Sequence, residues 1–528
     1  MTEPDPGHEP ARLAAESYLT RARADIVRGS LWTATATIVT VPLTFLASVF
    51  VARSLGPEGF GRFATYVAVF TIGLTLTNLG WSEATIQWLS AANARGDEVS
   101  GSALIRRCAG YHLWVAGPAS AATVFFLLAS YDTITALAAA AVAWGIQILG
   151  TSTVVLTAGA RNASSAQIAL VATTAAQLGL LTTAVATRDP GLTWTVLLAF
   201  LLIGPAIAVA ALRPSERKAL LRPQFSLRVP EGFLVYALSA CAAGLVATLV
   251  FGRSEILILR GNGLLGAVGV FTVATGLAGQ VTGPVDSLMA PLTPIAAGVY
   301  AVDEARACRS FERALRVSAA LGTAVACVIV PILVTCVEPL YGTHYSPAVL
   351  PFLLLGLVSC LQTALGPVAS FAFATRSASK ILKANLICLL VDAVLAVSLV
   401  PVIGLWGAVV ANSVAQIVSL LVVTAVVTRK LGLRLKQIAA DVRLFAIGLT
   451  LGTGEGLVCA ALAGPERLLA PAVVLAGVGC LWLMLWLSPP LRFAADDLAL
   501  VARGSKHRIV LGAIRLLQRA GVVQDGPG

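Results

Sequence analysis

Charge is scarce in this chain: only 12% of its 528 residues are Asp, Glu, Lys or Arg, against 57% hydrophobic. With a mean hydropathy of +0.86 it has too little polar surface for a protein dissolved in water, so bilayer replaces water as its main solvent. Histidine is also rare. His8, His112, His344 and His507 lie far apart and no HExxH occurs, which removes that zinc-hydrolase pattern. No Lys follows a Gly anywhere, so the P-loop of nucleotide hydrolases is absent. Energy for any transport must then come from an ion gradient, a partner or the substrate's own gradient. Nine cysteines contain no CxxC pair and most fall inside apolar runs, so no disulfide framework, metal site or cofactor is expected. A cleavable signal peptide is lacking as well: the first apolar run starts near Ser30 and continues past Ala52 without an A-x-A site, and it reads as a first span.

Long apolar runs are what the chain has. They divide into about fourteen spans, at 30–52, 60–88, 109–130, 134–157, 165–187, 192–212, 233–258, 264–290, 316–337, 348–372, 381–400, 402–427, 443–463 and 468–488. Each is near the roughly 20 residues that a helix needs to cross about 30 Å of hydrocarbon. Of the 37 Lys and Arg, all but Arg53, Arg62, Arg188, Arg253, Arg260 and Arg467 fall in alternate connections. That bias predicts a multi-pass protein of the cytoplasmic membrane with both termini cytoplasmic. One missed or invented span would invert everything after it and erase the bias. The net charge of +11 would point to nucleic acid in a soluble chain, but here the basic residues face anionic headgroups, and membrane lipids are the expected partner.

A charged, proline-containing segment from Arg213 splits the spans into six and eight. The parts echo one another: RSLGPEGFGRFAT from Arg53 and RGNGLLGAVGVFT from Arg260 align at an offset of 207, and RNAS at Arg161 aligns with RSAS at Arg376 at an offset of 215. Two echoes in the same order predict two six-span lobes in the same sense, with the last two spans added. The expected divisions are a basic leader at 1–29, a first lobe at 30–212, a linker at 213–232, a second lobe at 233–428, accessory helices 13 and 14 at 429–488 and a cytoplasmic tail at 489–528. The fold class is all-α and polytopic, with a central cavity between the lobes.

On the fourteen spans, the LGPEGFGRFA turn, its echo at Gly263 to Phe271, and the RNAS and RSAS turns, the chain resembles the polysaccharide-repeat-unit flippases of the multidrug/oligosaccharidyl-lipid/polysaccharide exporter superfamily. The resemblance covers residues 30 to 488. It implies export of a polyprenyl-diphosphate-linked oligosaccharide by alternating access, for cell-surface polysaccharide biosynthesis, with glycan polymerases or glycosyltransferases as partners.

Because a charge at the bilayer centre costs about 2.5–3.5 kcal/mol, each charged residue inside a span calls for a reason. Asp392 lies about 16 Å into span eleven at 1.5 Å per residue, with Asn385 on the same face. It is the first candidate for ion coupling, the alternative being a protonated Asp bonded to a neighbouring helix. Its counterpart at an offset of 215 is Gln177. Glu455 is as deep but sits among Gly452, Gly454 and Gly456 outside the lobes, where a structural role is expected. Glu83 and Asp286 near inner ends of spans are candidates for a gate, or for simple interface solvation. Arg53, Arg253 and Arg260 on the outer side are candidates for attracting a diphosphate, since guanidinium groups pair with phosphate oxygens; the alternative is that they snorkel to headgroups. Gln147, Gln177, Asn385, Asn412 and Gln416 are candidate sugar-hydroxyl partners, with Trp144 as a stacking platform, although helix-to-helix hydrogen bonds explain each equally well.

Two other functions compete. A drug or cation antiporter of the same architecture wants a compact acidic site, and the deep acids here are few. A membrane glycan polymerase wants catalytic acids or histidines in sizeable outer loops, and this chain has none; it is not expected to be an enzyme.

Overall fold

The structure, a computed structural model, describes residues 9–128, 133–159, 161–226, 228–249, 254–289, 304–374, 378–433, 438, 442–462, 464–487, 493–494 and 523–524. Among these the chain is helical, apart from a two-residue parallel pairing of Phe493–Ala494 with Val523–Gln524. Among the described residues, eleven stretches are long and apolar enough to cross a membrane by length and composition, against fourteen expected. The difference has a local cause. The first stretch, Thr35–Asn78, contains two expected spans, span seven falls on the shorter Phe233–Val246, and span three is divided among short elements between Glu98 and Leu128.

The chain forms two compact units, Met1–Thr272 and Val273–Gly528. In the first unit, α1 (Glu9–Asn78) bends at Gly56, whose φ of 68° and ψ of 174° are non-helical. Pro57 is the reason: it disfavours helical ψ at the residue before it, and a positive φ is open chiefly to glycine. The LGPEG motif is therefore a hinge between two spans. Its echo repeats the device, because Gly263 has φ 75° just before α12 (Leu265–Met289). The two turns pack on each other. A Cβ on Gly61 would strike the Leu265 carbonyl, and one on Gly269 would strike the carbonyl of Pro57.

Next, α2 (Trp81–Arg95), α3 (Glu98–Tyr111), a π-helical turn (His112–Ala116) and α4 (Gly117–Leu128) follow. α5 (Thr133–Ala158), α6 (Asn162–Thr187), α7 (Pro190–Leu201) and α8 (Ile203–Ala211) complete the first half. The π turn leaves the Leu113 carbonyl without a helical partner, and the Trp144 indole N–H donates to it at 3.0 Å. Trp144 thus has its polar edge engaged within the fold. A second π turn, Val325–Ile329, lies 213 residues after the first, a spacing between those of the two sequence echoes.

The charged segment after Arg213 is held against the first unit. Its helix α9 (Pro214–Leu220) buries Ala219 and Leu220, and the Gln224 N–H donates to the Arg106 carbonyl. Arg161, from the RNAS turn, ties this segment with an ion pair to Glu216 at 2.7 Å and a bond to the Ala211 carbonyl at 3.2 Å. α10 (Phe233–Thr248) and α11 (Ser254–Gly261) then lead to α12.

The second unit contains α13 (Glu304–Ala324), the second π turn, α14 (Val330–Tyr341), α15 (Val349–Ala364) and α16 (Gly366–Ala374). α17 (Ala378–Ile403), α18 (Leu405–Leu431), α19 (Arg443–Ala461) and α20 (Ala470–Leu487) follow. Along one face of α19, Gly448, Gly452 and Gly456 leave room for Thr323, the Ala326 carbonyl and Leu353 respectively. Small residues at this spacing let helix backbones approach where no water drives them together.

Candidate functional site

A cavity of about 420 Å³ opens within the first unit among α1, α2, the first π turn, α5 and α10, its walls largely apolar with a polar cluster at one side. Its floor forms because α1 stops at Asn78. Leu79 and Gly80 both adopt left-handed φ, 46° and 69°, and α2 restarts at Trp81 in a new direction. Gly80 is doubly required there, since a Cβ would also strike the Ala237 carbonyl of α10. Trp81 stacks on Tyr111 with ring centroids 4.3 Å apart and meets Phe233 edge-on, anchoring α2 beside the cavity.

Asn78 organises the polar side. Its Oδ1 accepts from the Ser82 hydroxyl at 2.9 Å and lies 3.2 Å from His112 Nε2, while its Nδ2 donates to Glu83 Oε2 at 3.0 Å. The Ser82 hydroxyl, 3.4 Å from the same nitrogen, gives its hydrogen to that oxygen, and a carbonyl oxygen only accepts, so His112 Nε2 carries the hydrogen. On the ring's other side, Nδ1 is 2.8 Å from the Thr151 hydroxyl, and the Cys108 sulfur lies 3.9 Å away. Gln147, one helical turn before Thr151 on α5, donates to Ser120 at 2.8 Å and Thr77 at 3.2 Å. His112 is buried, whereas Glu83 is exposed. The cavity thus combines one carboxylate, one imidazole and several neutral donors and acceptors in a volume within the roughly 300–1,000 Å³ usual for small-molecule sites.

Of the residues singled out from sequence, Glu83 and Gln147 meet in this cavity. Gln177 on α6 is half-buried elsewhere in the unit, and Arg53 and Arg260 are exposed. Arg253 lies outside the described residues, as does the side chain of Asp286. In the second unit Gln416 donates to Asn412 and accepts from Gln362 at 2.8 Å, a helix-to-helix chain joining α18 to α15. Asp392 on α17 is fully buried and Asn385 half-buried. Glu455 is buried against Gly477 of α20, where any Cβ would collide with its carboxylate, and neither of its oxygens has a hydrogen-bond partner among the described residues. Among the described residues no cluster of three His, Cys, Asp or Glu is placed to hold a metal.

Sequence reasoning passed over His112, Asn78 and Ser82. A histidine inside an expected span was itself a signal, because ionisable groups are rare at that depth. The partners were hidden because they converge only through the break at Leu79 and Gly80.

Apolar helices in this number, broken at positive-φ glycines and with a cavity among those of the first unit, define a multi-pass α-helical membrane protein. The solved structure described as "Lipid II flippase MurJ, inward closed conformation" is similar, with a TM-score of 0.62 over 85% of this chain and 98% of that one at 13% identity. An inward-facing multidrug resistance MATE family transporter of the MOP superfamily has a TM-score of 0.56 over 74% and 95% at 16% identity. A MOP superfamily transporter from Pyrococcus furiosus has 0.51 over 78% and 96%, also at 16% identity. At such identities the likeness is one of fold. No curated protein matches the sequence. The chain belongs to the polysaccharide biosynthesis protein family, whose sequence profile matches residues 26–294, just over half its length.

Proposed function

We propose that this protein moves polyprenyl-diphosphate-linked oligosaccharide units from the inner to the outer leaflet of the cytoplasmic membrane by alternating access. The observation that carries the reading is membership of the polysaccharide biosynthesis family in a chain with a flippase-like fold. In this reading both termini are cytoplasmic, and the two sequence echoes correspond to two lobes flanking the transport path. The hinges at Gly56 and Gly263 support that arrangement, because matched breaks in corresponding helices let each lobe bend alike. Arg53, Arg253 and Arg260 attract the diphosphate on the outer side, and Gln147, Gln177, Asn385, Asn412 and Gln416 meet sugar hydroxyls. Asp392, Glu83 and Asp286 serve coupling or gating. Polymerases or glycosyltransferases would supply or consume the lipid-linked unit.

A second reading, exchange of a small organic cation, is favoured by the size of the first-unit cavity and its exposed Glu83 carboxylate. Proteoliposomes separate the two. The flippase reading expects a fluorescent polyprenyl-diphosphate oligosaccharide to change leaflet only when the protein is present, and more slowly with Asp392→Asn or with Arg53→Ala and Arg260→Ala together. Exchange of an organic cation without movement of the lipid-linked sugar would replace it with the antiporter reading.

A further inference from the structure

His112 is held in a way that leaves only one of its two ring nitrogens committed. Nε2–H points to the Asn78 carbonyl oxygen, which cannot donate in return, and the Ser82 hydroxyl 3.4 Å from Nε2 gives its own hydrogen to that same oxygen. Nδ1 faces a hydroxyl, and a hydroxyl works in either sense: Thr151 can donate to a bare Nδ1 or accept from an Nδ1–H at the same 2.8 Å. If it accepts, its own hydrogen has a ready outlet in the carbonyl one helical turn back, the bond that Thr65, Thr85 and Thr323 make in this chain. The pocket therefore accommodates neutral and protonated imidazole without moving a heavy atom.

Burial of the ring opposes an added charge, and the groups around it decide how far that cost is offset. From α2 the Glu83 carboxylate reaches the ring through the Asn78 amide, with Asn78 donating to Glu83 and accepting from His112. From its own helix the ring meets Cys108 and Tyr111, and α10 contributes Cys241. α1 and α5 present only the neutral Asn78, Gln147 and Thr151. No Lys or Arg is among the described residues lining the cavity. A cation here faces one anion and no competing positive charge.

We propose that this cavity is a proton-binding site coupled to transport: His112 takes the proton on Nδ1, Thr151 turns from donor to acceptor, and Glu83 supplies counter-charge through Asn78. The coupling rests on the transporter reading above, but the site does not. The proton comes from water through the cavity, one N–H bond forms, and the reverse step returns it to water.

With only four histidines, the chain suits NMR of the full-length protein carrying ¹⁵N-histidine in phospholipid nanodiscs. The His112 signal is assigned by its loss in His112→Gln. The expected result is an Nε2–H neutral tautomer at high pH that becomes imidazolium as pH falls, with a smaller imidazolium population at the same pH in Glu83→Gln. A signal that stays neutral down to the pH at which the protein unfolds, or that ignores Glu83→Gln, overturns the site. Coupling is read in proteoliposomes holding the fluorescent lipid-linked oligosaccharide. Acceleration by a pH gradient in the wild type that is lost in His112→Gln, in protein shown by its NMR spectrum to be folded, supports coupling. Acceleration that survives in His112→Gln overturns it. If no lipid-linked sugar moves in the wild type, the flippase reading fails while the NMR result still decides the site.

Discussion

At the scale of single residues, two positions are set by space and conformation rather than by chemistry. Gly80 adopts a positive φ and touches the α10 backbone, so Gly80→Val combines backbone strain of about 1–3 kcal/mol with a collision that only separation of α2 from α10 relieves. The expected outcome is a lower thermal-unfolding midpoint in detergent and loss of the Trp81 environment by fluorescence; an unchanged midpoint would refute the contact. Glu455 presents the opposite case. A buried carboxyl without partners costs about 1–3 kcal/mol, so Glu455→Met, which keeps the length and removes the charge, should raise the midpoint while leaving transport intact. A fall in stability would mean that the carboxyl is engaged in the membrane and that its role is not merely to fill the notch at Gly477.

Between residues and the whole molecule, helices are joined by a few specific contacts. The glycine face of α19 lets its backbone meet the second π turn at Ala326, and Cys327 donates to the Gly448 carbonyl at 3.1 Å. Gly452→Val should separate these helices, so greater protease or hydrogen-exchange access confined to α13, α14 and α19 is the expected signature. In the first unit, Arg161→Ala removes the ion pair and the carbonyl bond that hold the segment after Arg213. Both groups are mostly buried, so the loss is placed at about 1 kcal/mol, the upper end for near-surface pairs, and limited trypsin should cut near Arg217 faster. The start of α3 shows the same principle in a water-facing loop. The Asp97 carboxyl is held below its usual range by hydrogen bonds from Ser100, the larger one from its side chain. A carboxyl with a lowered folded value contributes its cap at neutral pH and loses it as pH falls through that lowered value.

For the molecule as a whole, the charge distribution makes a topological prediction. In a background lacking the native cysteines, a cysteine at Asp97 should react with an impermeant maleimide only after cells are opened, and one at Asn262 should react in intact cells. Labelling of both from the same side would destroy the assignment of alternate connections, and with it the inside position of both termini.

How much could be read in advance differs by kind of interaction. The helical class and membrane residence were legible because apolar length and basic-residue placement are local properties that bilayer physics reads directly. The hinge at Gly56 was legible as a turn because Gly-Pro constrains the backbone by itself, whereas Gly263, followed by Leu264, shares the positive φ and was marked only by its spacing. The grouping of Asn78, Glu83, His112 and Gln147 was not legible, since residues up to 69 positions apart meet only after α2 changes direction and a π turn rotates the next helix. Nor was the docking of the segment after Arg213, which composition marks as a linker and Arg161 ties down. Sequence by itself thus determined that the chain crosses a membrane as helices with hinges at set places. Only tertiary structure decided which polar side chains share a cavity, because a buried hydrogen bond depends on the aim of whole helices, and no single residue encodes that.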